Sequence, residues 1–121
     1  MSDDLTERII GAAIEVHREL GPGLLESIYE EALCYEFDLQ HICYERQVPT
    51  DIVYKGHVIK GQRLDLLVVR EVVVEVKSVS KTPTVVVSQT ISYLKATSLR
   101  RGLIVNFGER RLIDGIKRVS V

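Results

Sequence analysis

Apolar residues recur at helical spacing over two segments at the start of the chain. Across residues 4–20 they repeat every three or four positions, as on one face of an amphipathic helix. Gly21-Pro22-Gly23 interrupts this pattern. A second apolar stripe follows at Leu25, Ile28, Tyr29, Ala32, Leu33 and Phe37. The pattern predicts one helix over residues 4–20 and another over roughly residues 24–40.

From residue 42 onward the pattern changes to short β-branched and aromatic runs. Residues 43–49, 51–54 and 57–60 are such runs, and the last two flank Lys55-Gly56 as in a hairpin. Two nearly continuous apolar runs come next, at residues 63–69 and 72–77. Strands of this kind are buried on both faces, as in a sheet covered by helices.

The last third of the chain predicts one more helix and two more strands. Helical spacing covers residues 85–99, although the Val85-Val86-Val87 run is locally strand-like and leaves the start of the helix open. Residues 103–107 predict a buried strand, and the tail at 110–121 favours a strand over a short helix. This order of elements predicts an α/β fold with a mixed central β-sheet flanked by helices.

Composition adds limits to this picture. With 121 residues, 45% of them apolar, we expect a single domain over residues 1–121. The net charge of −1 argues against a strongly basic nucleic-acid binder but leaves a local basic surface open. The acidic N-terminus does not resemble a signal peptide and no apolar run is long enough to span a membrane, so we expect a cytoplasmic protein with no membrane partner. Cys34 is expected to be a buried free thiol.

Three charged residues stand inside the two apolar runs: Asp65, Glu75 and Lys77. Burying a charge costs several kcal/mol unless another group compensates it. Glu75 and Lys77 are two positions apart and therefore share one face of a strand. Asp65 lies ten residues before Glu75, across a tight hairpin.

The length of the hairpin loop decides whether the two carboxylates meet. A two-residue loop, Arg70-Glu71, pairs Asp65 with Val76 and puts the carboxylates on opposite faces. A three-residue loop or a bulge pairs Asp65 with Glu75 and puts them together. We expect the second arrangement, because it unites two carboxylates and an ammonium in one site.

Such a site has a chemical use. Two carboxylates bind Mg²⁺ or Mn²⁺, which activates a bound water and polarises a phosphodiester. A nearby lysine then orients the water and stabilises developing negative charge. Spacing alone leaves open a plainer interpretation, in which Asp65, Glu75 and Lys77 form a charged rung on an exposed face, with Lys77 paired to one of the carboxylates.

Several motifs in the chain resemble one nuclease family. The segments Arg63-Leu64-Asp65-Leu66-Leu67 and Val74-Glu75-Val76-Lys77 resemble the signature of the PD-(D/E)xK nuclease superfamily, although Leu64 stands where its name has proline. The segment Gly23-Leu24-Leu25-Glu26-Ser27-Ile28-Tyr29 is similar to the G-x-x-E-x-x-Y motif that names a family within it. Further similarity lies at Gln89-x-x-x-Tyr93, Gly102-Leu103-Ile104-Val105-Asn106-Phe107-Gly108 and Leu112–Arg118.

The resemblance implies a restriction-endonuclease-like core and a role for each site residue. The implied catalytic residues are Asp65, Glu75 and Lys77. The implied ligands of Mg²⁺ or Mn²⁺ are Glu26, Asp65, Glu75 and the Val76 carbonyl. The implied substrate contacts are Tyr29, Gln89 and Tyr93. From the residues alone, Glu26 is instead expected to be a solvated helix residue or one that caps the turn after Gly23. Tyr29 is also consistent with a core tyrosine, and the Gln89–Tyr93 pair with a helix face packed on the sheet, with Gln89 hydrogen-bonded to the backbone.

Two functions therefore compete. The first is a metal-dependent nuclease that hydrolyses phosphodiester bonds in DNA, or in RNA as the less favoured substrate. The second is a catalytically silent module of the same fold that binds nucleic acid or a protein partner. We expect no separate DNA-reading domain in a chain this small, so sequence specificity would need a partner or a homodimer.

Overall fold

The computed structural model describes residues 3–121, so residues 1 and 2 of the predicted domain lie outside the described part. It contains three α-helices: α1 at Asp4–Leu20, α2 at Glu26–Leu39 and α3 at Thr84–Thr97. The five strands are β1 at Tyr44–Tyr54, β2 at His57–Val68, β3 at Val72–Lys77, β4 at Arg101–Asn106 and β5 at Ile116–Ser120. A short 3-10 helix, Leu112–Gly115, precedes β5.

The five strands form one sheet in the order β1-β2-β3-β4-β5. The β3–β4 pair is parallel, with α3 as the crossover, and the other three pairs are antiparallel. The predicted α/β fold with a mixed central sheet is therefore confirmed, as is the strand in the tail. No helix in residues 3–121 is long and apolar enough to cross a membrane.

The first two strands differ from the prediction, because they are longer than the sequence indicated. The predicted runs at 43–49 and 51–54 form the single strand β1, and those at 57–60 and 63–69 form β2. Pro49 lies inside β1, and β1 is an edge strand, which is the kind of strand that tolerates proline. The predicted hairpin turn is confirmed, with Lys55 and Gly56 at φ values of 50° and 79°.

The hydrophobic core has two halves, one on each face of the sheet. One half packs α1 and α2 against Val72, Val74 and Val76, and it includes Cys34, the predicted buried free thiol. The other half packs α3 against Val73 and neighbouring strands. All residues from Val72 to Val76 are buried, which confirms that β3 is covered on both faces.

Partway along β1 and β2, the side chains switch from one face of the sheet to the other. Leu66 packs in the half of the core under α1 and α2, whereas Leu64 packs under α3. Residues two apart share a face in a regular strand, so the regular alternation breaks between these two leucines, at Asp65. On β1 the residue opposite Asp65 is Gln47, which has a left-handed φ of 51°. The irregular point of the β1–β2 ribbon is therefore the position of a predicted site residue.

Candidate functional site

Asp65 and Glu75 lie where β2 separates from β3. The β2–β3 ladder ends at the pair Leu66 and Val74. Beyond it, the Asp65 backbone N–H donates to Glu75 Oε2 at 2.8 Å, and the Val76 N–H donates to Asp65 Oδ2 at 2.9 Å. The two carboxylates thus replace backbone acceptors that a continued ladder would supply, and both occupy one gap in the sheet.

A three-residue connection, residues 69–71, sets this register. Val69 and Arg70 have positive φ values of 53° and 56°, and the Glu71 N–H donates to the Val68 carbonyl at 2.9 Å. Two successive left-handed residues give a turn whose twist suits a hairpin, and Glu71 is the additional residue. The predicted three-residue loop is confirmed, and the two-residue register is excluded.

Each carboxylate keeps one oxygen for another ligand. Glu75 Oε2 and Asp65 Oδ2 are held by backbone N–H groups, whereas Glu75 Oε1 accepts no hydrogen bond from residues 3–121. No buried side-chain oxygen in this part of the chain lacks a partner, so Oε1 reaches solvent although Glu75 is only 4% exposed. Asp65 Oδ1 meets only the Gln47 amide, at 3.5 Å.

The pKa of each carboxyl group in the gap is raised. Burial, and after it the negative charge of Asp65, raises the pKa of the Glu75 carboxyl to about 8. Burial also raises the pKa of Asp65. Two hard oxygen donors in a partly buried gap, each with one oxygen left over, form a donor set that fits Mg²⁺ or Mn²⁺.

Lys77 lies at the end of β3, two positions after Glu75, and is half-buried. Its positive charge lowers the pKa of both carboxyls, against the larger effect of burial. Yet none of the ion pairs formed by the described residues involves Lys77. The structure therefore does not contain the charged rung in which Lys77 pairs with a carboxylate, and the ammonium stays available to another group.

A comparison with protein families gives this hairpin its context. A model described as the PD-(D/E)XK nuclease superfamily matches residues 3–119, almost the whole chain. The chain belongs to the PD-(D/E)XK nuclease superfamily. Members of this superfamily are typically nucleases that use divalent metals such as Mg²⁺, and their substrates are nucleic acids. No curated protein and no solved structure matched the chain.

The predicted assignment of Asp65 and Glu75 to the two acidic positions of the superfamily signature, and of Lys77 to its lysine, stays a prediction. The structure does not bring Glu26 into one group with the two carboxylates. Glu26 is the exposed first residue of α2, and its charge raises the pKa of Asp65. Consistent with this, no three His, Cys, Asp or Glu side chains within residues 3–121 are grouped so as to hold a metal ion. The Val76 carbonyl stays a predicted ligand, and it is the Val76 N–H that binds Asp65.

Tyr29 is a core tyrosine in this PD-(D/E)XK domain. Its side chain is fully buried and stacks on Phe107, with ring centroids 4.5 Å apart. The hydroxyl donates to the Gly21 carbonyl and accepts from the Leu24 N–H at 3.1 Å. A side chain with no exposed surface cannot touch substrate, so the predicted substrate contact at Tyr29 is corrected. The tyrosine closes the Gly-Pro-Gly loop before α2.

Gln89 and Tyr93 differ in their exposure to solvent, although both lie on α3. Gln89 is exposed and forms no side-chain hydrogen bond with residues 3–121, whereas Tyr93 is only 6% exposed and packs in the core under α3. The backbone hydrogen bond that the alternative interpretation expected for Gln89 is absent in this part of the chain. Gln89 remains open to a substrate, while burial argues against Tyr93.

Sequence reasoning missed a second polar group beside the carboxylates: Glu30, Arg46 and Gln47. Glu30 is 8% exposed, and its charge raises the pKa of Glu75. One sequence signal was present, since Glu30 lies one helical turn after Glu26 and shares its face. No signal marked Gln47, because its position depends on a strand register and on a left-handed backbone that no pattern predicts.

Proposed function

We propose that the protein is a metal-dependent nuclease that hydrolyses phosphodiester bonds, with DNA preferred over RNA. The observation that carries this proposal is the pair of carboxylates in the β2–β3 gap, with Asp65 and Glu75 each held by one backbone N–H. A structural carboxylate pair would be expected to have an ion-pair partner. This pair has an unpaired lysine nearby instead, which is the combination that hydrolysis needs.

In this proposal Asp65 Oδ1 and Glu75 Oε1 hold Mg²⁺ or Mn²⁺. When bound, the ion polarises the scissile phosphate and lowers the pKa of a water. The backbone N–H bonds fix both carboxylates before substrate arrives, so little reorganisation remains during the reaction. The Lys77 ammonium orients the attacking water and stabilises negative charge that develops on the phosphoryl oxygens.

The outer contacts belong to the same proposal. Gln89, exposed on the helix after the catalytic hairpin, is a candidate contact to the nucleic-acid backbone. Glu26 is a candidate to bind the ion through a bridging water, since its charge reaches Asp65. The Gly23–Tyr29 motif supports placing the protein in the GxxExxY family of the superfamily. A homodimer would bring two sites to the two strands of DNA.

A cleavage assay tests the proposal. The protein is incubated with plasmid, single-stranded DNA and RNA in Mg²⁺ or in Mn²⁺, beside Asp65→Asn and Lys77→Met. Wild type should cleave DNA, and each variant should lose about 100-fold or more of the rate. Asp51→Asn and Lys95→Met are matched controls, because both residues are exposed and lie outside the carboxylate gap.

The same assay separates the alternative of a silent binding module. The net charge of −1 favours that alternative, because nucleases usually attract a polyanion with basic surface. A wild type that binds DNA but cleaves it no faster than Asp65→Asn, in either metal, refutes the nuclease and leaves the binding module. Cleavage equal in all five proteins points to a contaminating enzyme and also counts against the proposal.

A further inference from the structure

Gln47 connects α2 to the carboxylate gap. Its Nε2 donates to Glu30 Oε1 at 2.9 Å and lies 3.5 Å from Asp65 Oδ1. An ionised carboxylate only accepts hydrogen bonds, so the contact with Glu30 identifies the amide nitrogen as the inward atom. The short bond to Glu30 holds the amide, and the long contact points it at the Asp65 oxygen that carries no backbone hydrogen bond.

Glu30 is itself held firmly. Arg46 donates to Glu30 Oε2 through Nε at 3.2 Å and through a terminal nitrogen at 2.9 Å. Both oxygens of Glu30 are therefore occupied by two successive residues of β1. Glu30 therefore holds Gln47 in place, and it does not compete with Asp65 and Glu75 for a cation.

The backbone at Gln47 carries a cost that these contacts offset. A φ of 51° is left-handed, which disfavours a residue with a side chain by about 1 kcal/mol relative to glycine. Such strain persists only where the surroundings over-determine it, and it clusters at functional sites. Here the left-handed residue stands directly across the ribbon from Asp65, at the point where β1 and β2 change their facing.

We propose that Gln47 is a positioning residue, which aims Asp65 Oδ1 at the bound divalent cation while Glu30 and Arg46 hold the Gln47 amide in place. The proposal rests on the metal-dependent function proposed above. A neutral donor suits this task, since a lysine or arginine at the same place would form an ion pair with Asp65 and compete with the cation. Groups that orient a metal ligand typically contribute about 10- to 100-fold to metal affinity.

Two variants of Gln47 test the role. Gln47→Gly removes the amide but relieves the left-handed backbone, so thermal stability should stay level or rise while Mn²⁺ affinity falls about tenfold or more. Gln47→Met keeps the length and the strain and loses only the amide, and should show the same loss of affinity. Lys55→Gly is the matched control, because Lys55 has a φ of 50° at the far end of the same ribbon.

Mn²⁺ binding by calorimetry, at one fixed pH for all the proteins, gives distinct outcomes. Loss of affinity in both Gln47 variants, with Lys55→Gly and wild type alike, supports the positioning role. Wild-type affinity in Gln47→Met, when Asp65→Asn no longer binds, overturns this role and leaves the nuclease proposal standing. If Asp65→Asn binds Mn²⁺ as wild type does, the metal site itself fails and the role of Gln47 fails with it.

Discussion

The Glu75 carboxylate accepts the backbone N–H of Asp65 at 2.8 Å, across the gap where β2 leaves β3. In the opposite direction, the Asp65 carboxylate accepts a hydrogen bond from the Val76 N–H. Each acidic side chain is therefore oriented by the backbone of the other strand. The relationship couples the proposed metal site to the fold.

Stability should fall as pH rises, in the presence of a chelator. The Glu75 pKa is raised from its ordinary 4.5 to about 8, so between these values the folded protein keeps a proton that the unfolded chain releases. The contribution to stability is full below pH 4.5 and is lost as pH rises through about 8. Over that window the free energy of unfolding should drop by on the order of a few kcal/mol.

Glu75→Gln isolates this effect, since glutamine keeps the shape of the side chain without titrating. Urea unfolding across the same pH window should give a much flatter curve for the variant than for wild type. Equal slopes in the two proteins would show that Glu75 titrates normally, and would count against its burial in the gap.

Divalent-metal affinity should rise with pH and level off above about 8, because the ion binds the ionised form of Glu75. Binding below that pH should release a proton, which calorimetry detects as a heat that depends on the ionisation enthalpy of the buffer. Addition of chelator should reverse the binding. An affinity that stays constant from neutral pH upward would contradict the raised pKa.

Lys77→Met should separate metal binding from catalysis. The Lys77 charge lowers the pKa of both carboxyls, so its removal makes the gap more negative and should leave Mn²⁺ affinity unchanged or higher. The cleavage rate should nevertheless fall about 100-fold, because the water loses its orienting ammonium. A parallel loss of metal affinity and rate would instead indicate that Lys77 maintains the shape of the site.

Tyr29→Phe should lower the stability of the protein and leave its DNA affinity unchanged. Loss of the hydroxyl leaves the Leu24 N–H and the Gly21 carbonyl without their partner, at a cost of about 1–3 kcal/mol. Tyr35→Phe is the matched control, since Tyr35 lies on the same helix and is 64% exposed. DNA affinity that drops while stability is unchanged would restore Tyr29 as a substrate contact.

Two glycines should respond in opposite directions to alanine. A Cβ on Gly108 would stand 2.1 Å from the Val79 carbonyl oxygen, in the segment just after Lys77, so Gly108→Ala should lower stability by several kcal/mol and reduce activity. Gly11→Ala meets no atom within 4 Å and replaces a mid-helix glycine, so it should add about 0.5–1 kcal/mol. Melting temperatures of the two variants check both signs.

The elements that the sequence predicted well are those set by local pattern. The α1 boundaries, the apolar run of β3 and the strand in the tail depend on the residues of each segment and on its immediate neighbours. The pairing of Asp65 with Glu75 also lay within reach, because a short hairpin offers only two registers and one of them unites the charged groups. The resemblance to the family motifs predicted chemical roles for Asp65, Glu75 and Lys77.

Long-range contacts account for what sequence reasoning missed. Whether Tyr29 faced substrate or core depended on Phe107, at the opposite end of the chain. The contacts of Gln47 depend on Glu30, 17 residues earlier, and on Asp65, 18 residues later. Pro49 suggested a strand boundary, whereas the edge position of β1 allowed the strand to continue.

By itself, the sequence determined the α/β fold and the acidic hairpin, since both follow from periodicity and from charges placed in apolar runs. Only the tertiary structure decided which oxygens of Asp65 and Glu75 remain available, since backbone N–H groups of the facing strand occupy the others. It also decided which polar neighbours surround them. Burial and the Asp65 charge, neither of them a property of a residue alone, raise the Glu75 pKa and make a cation the fitting partner.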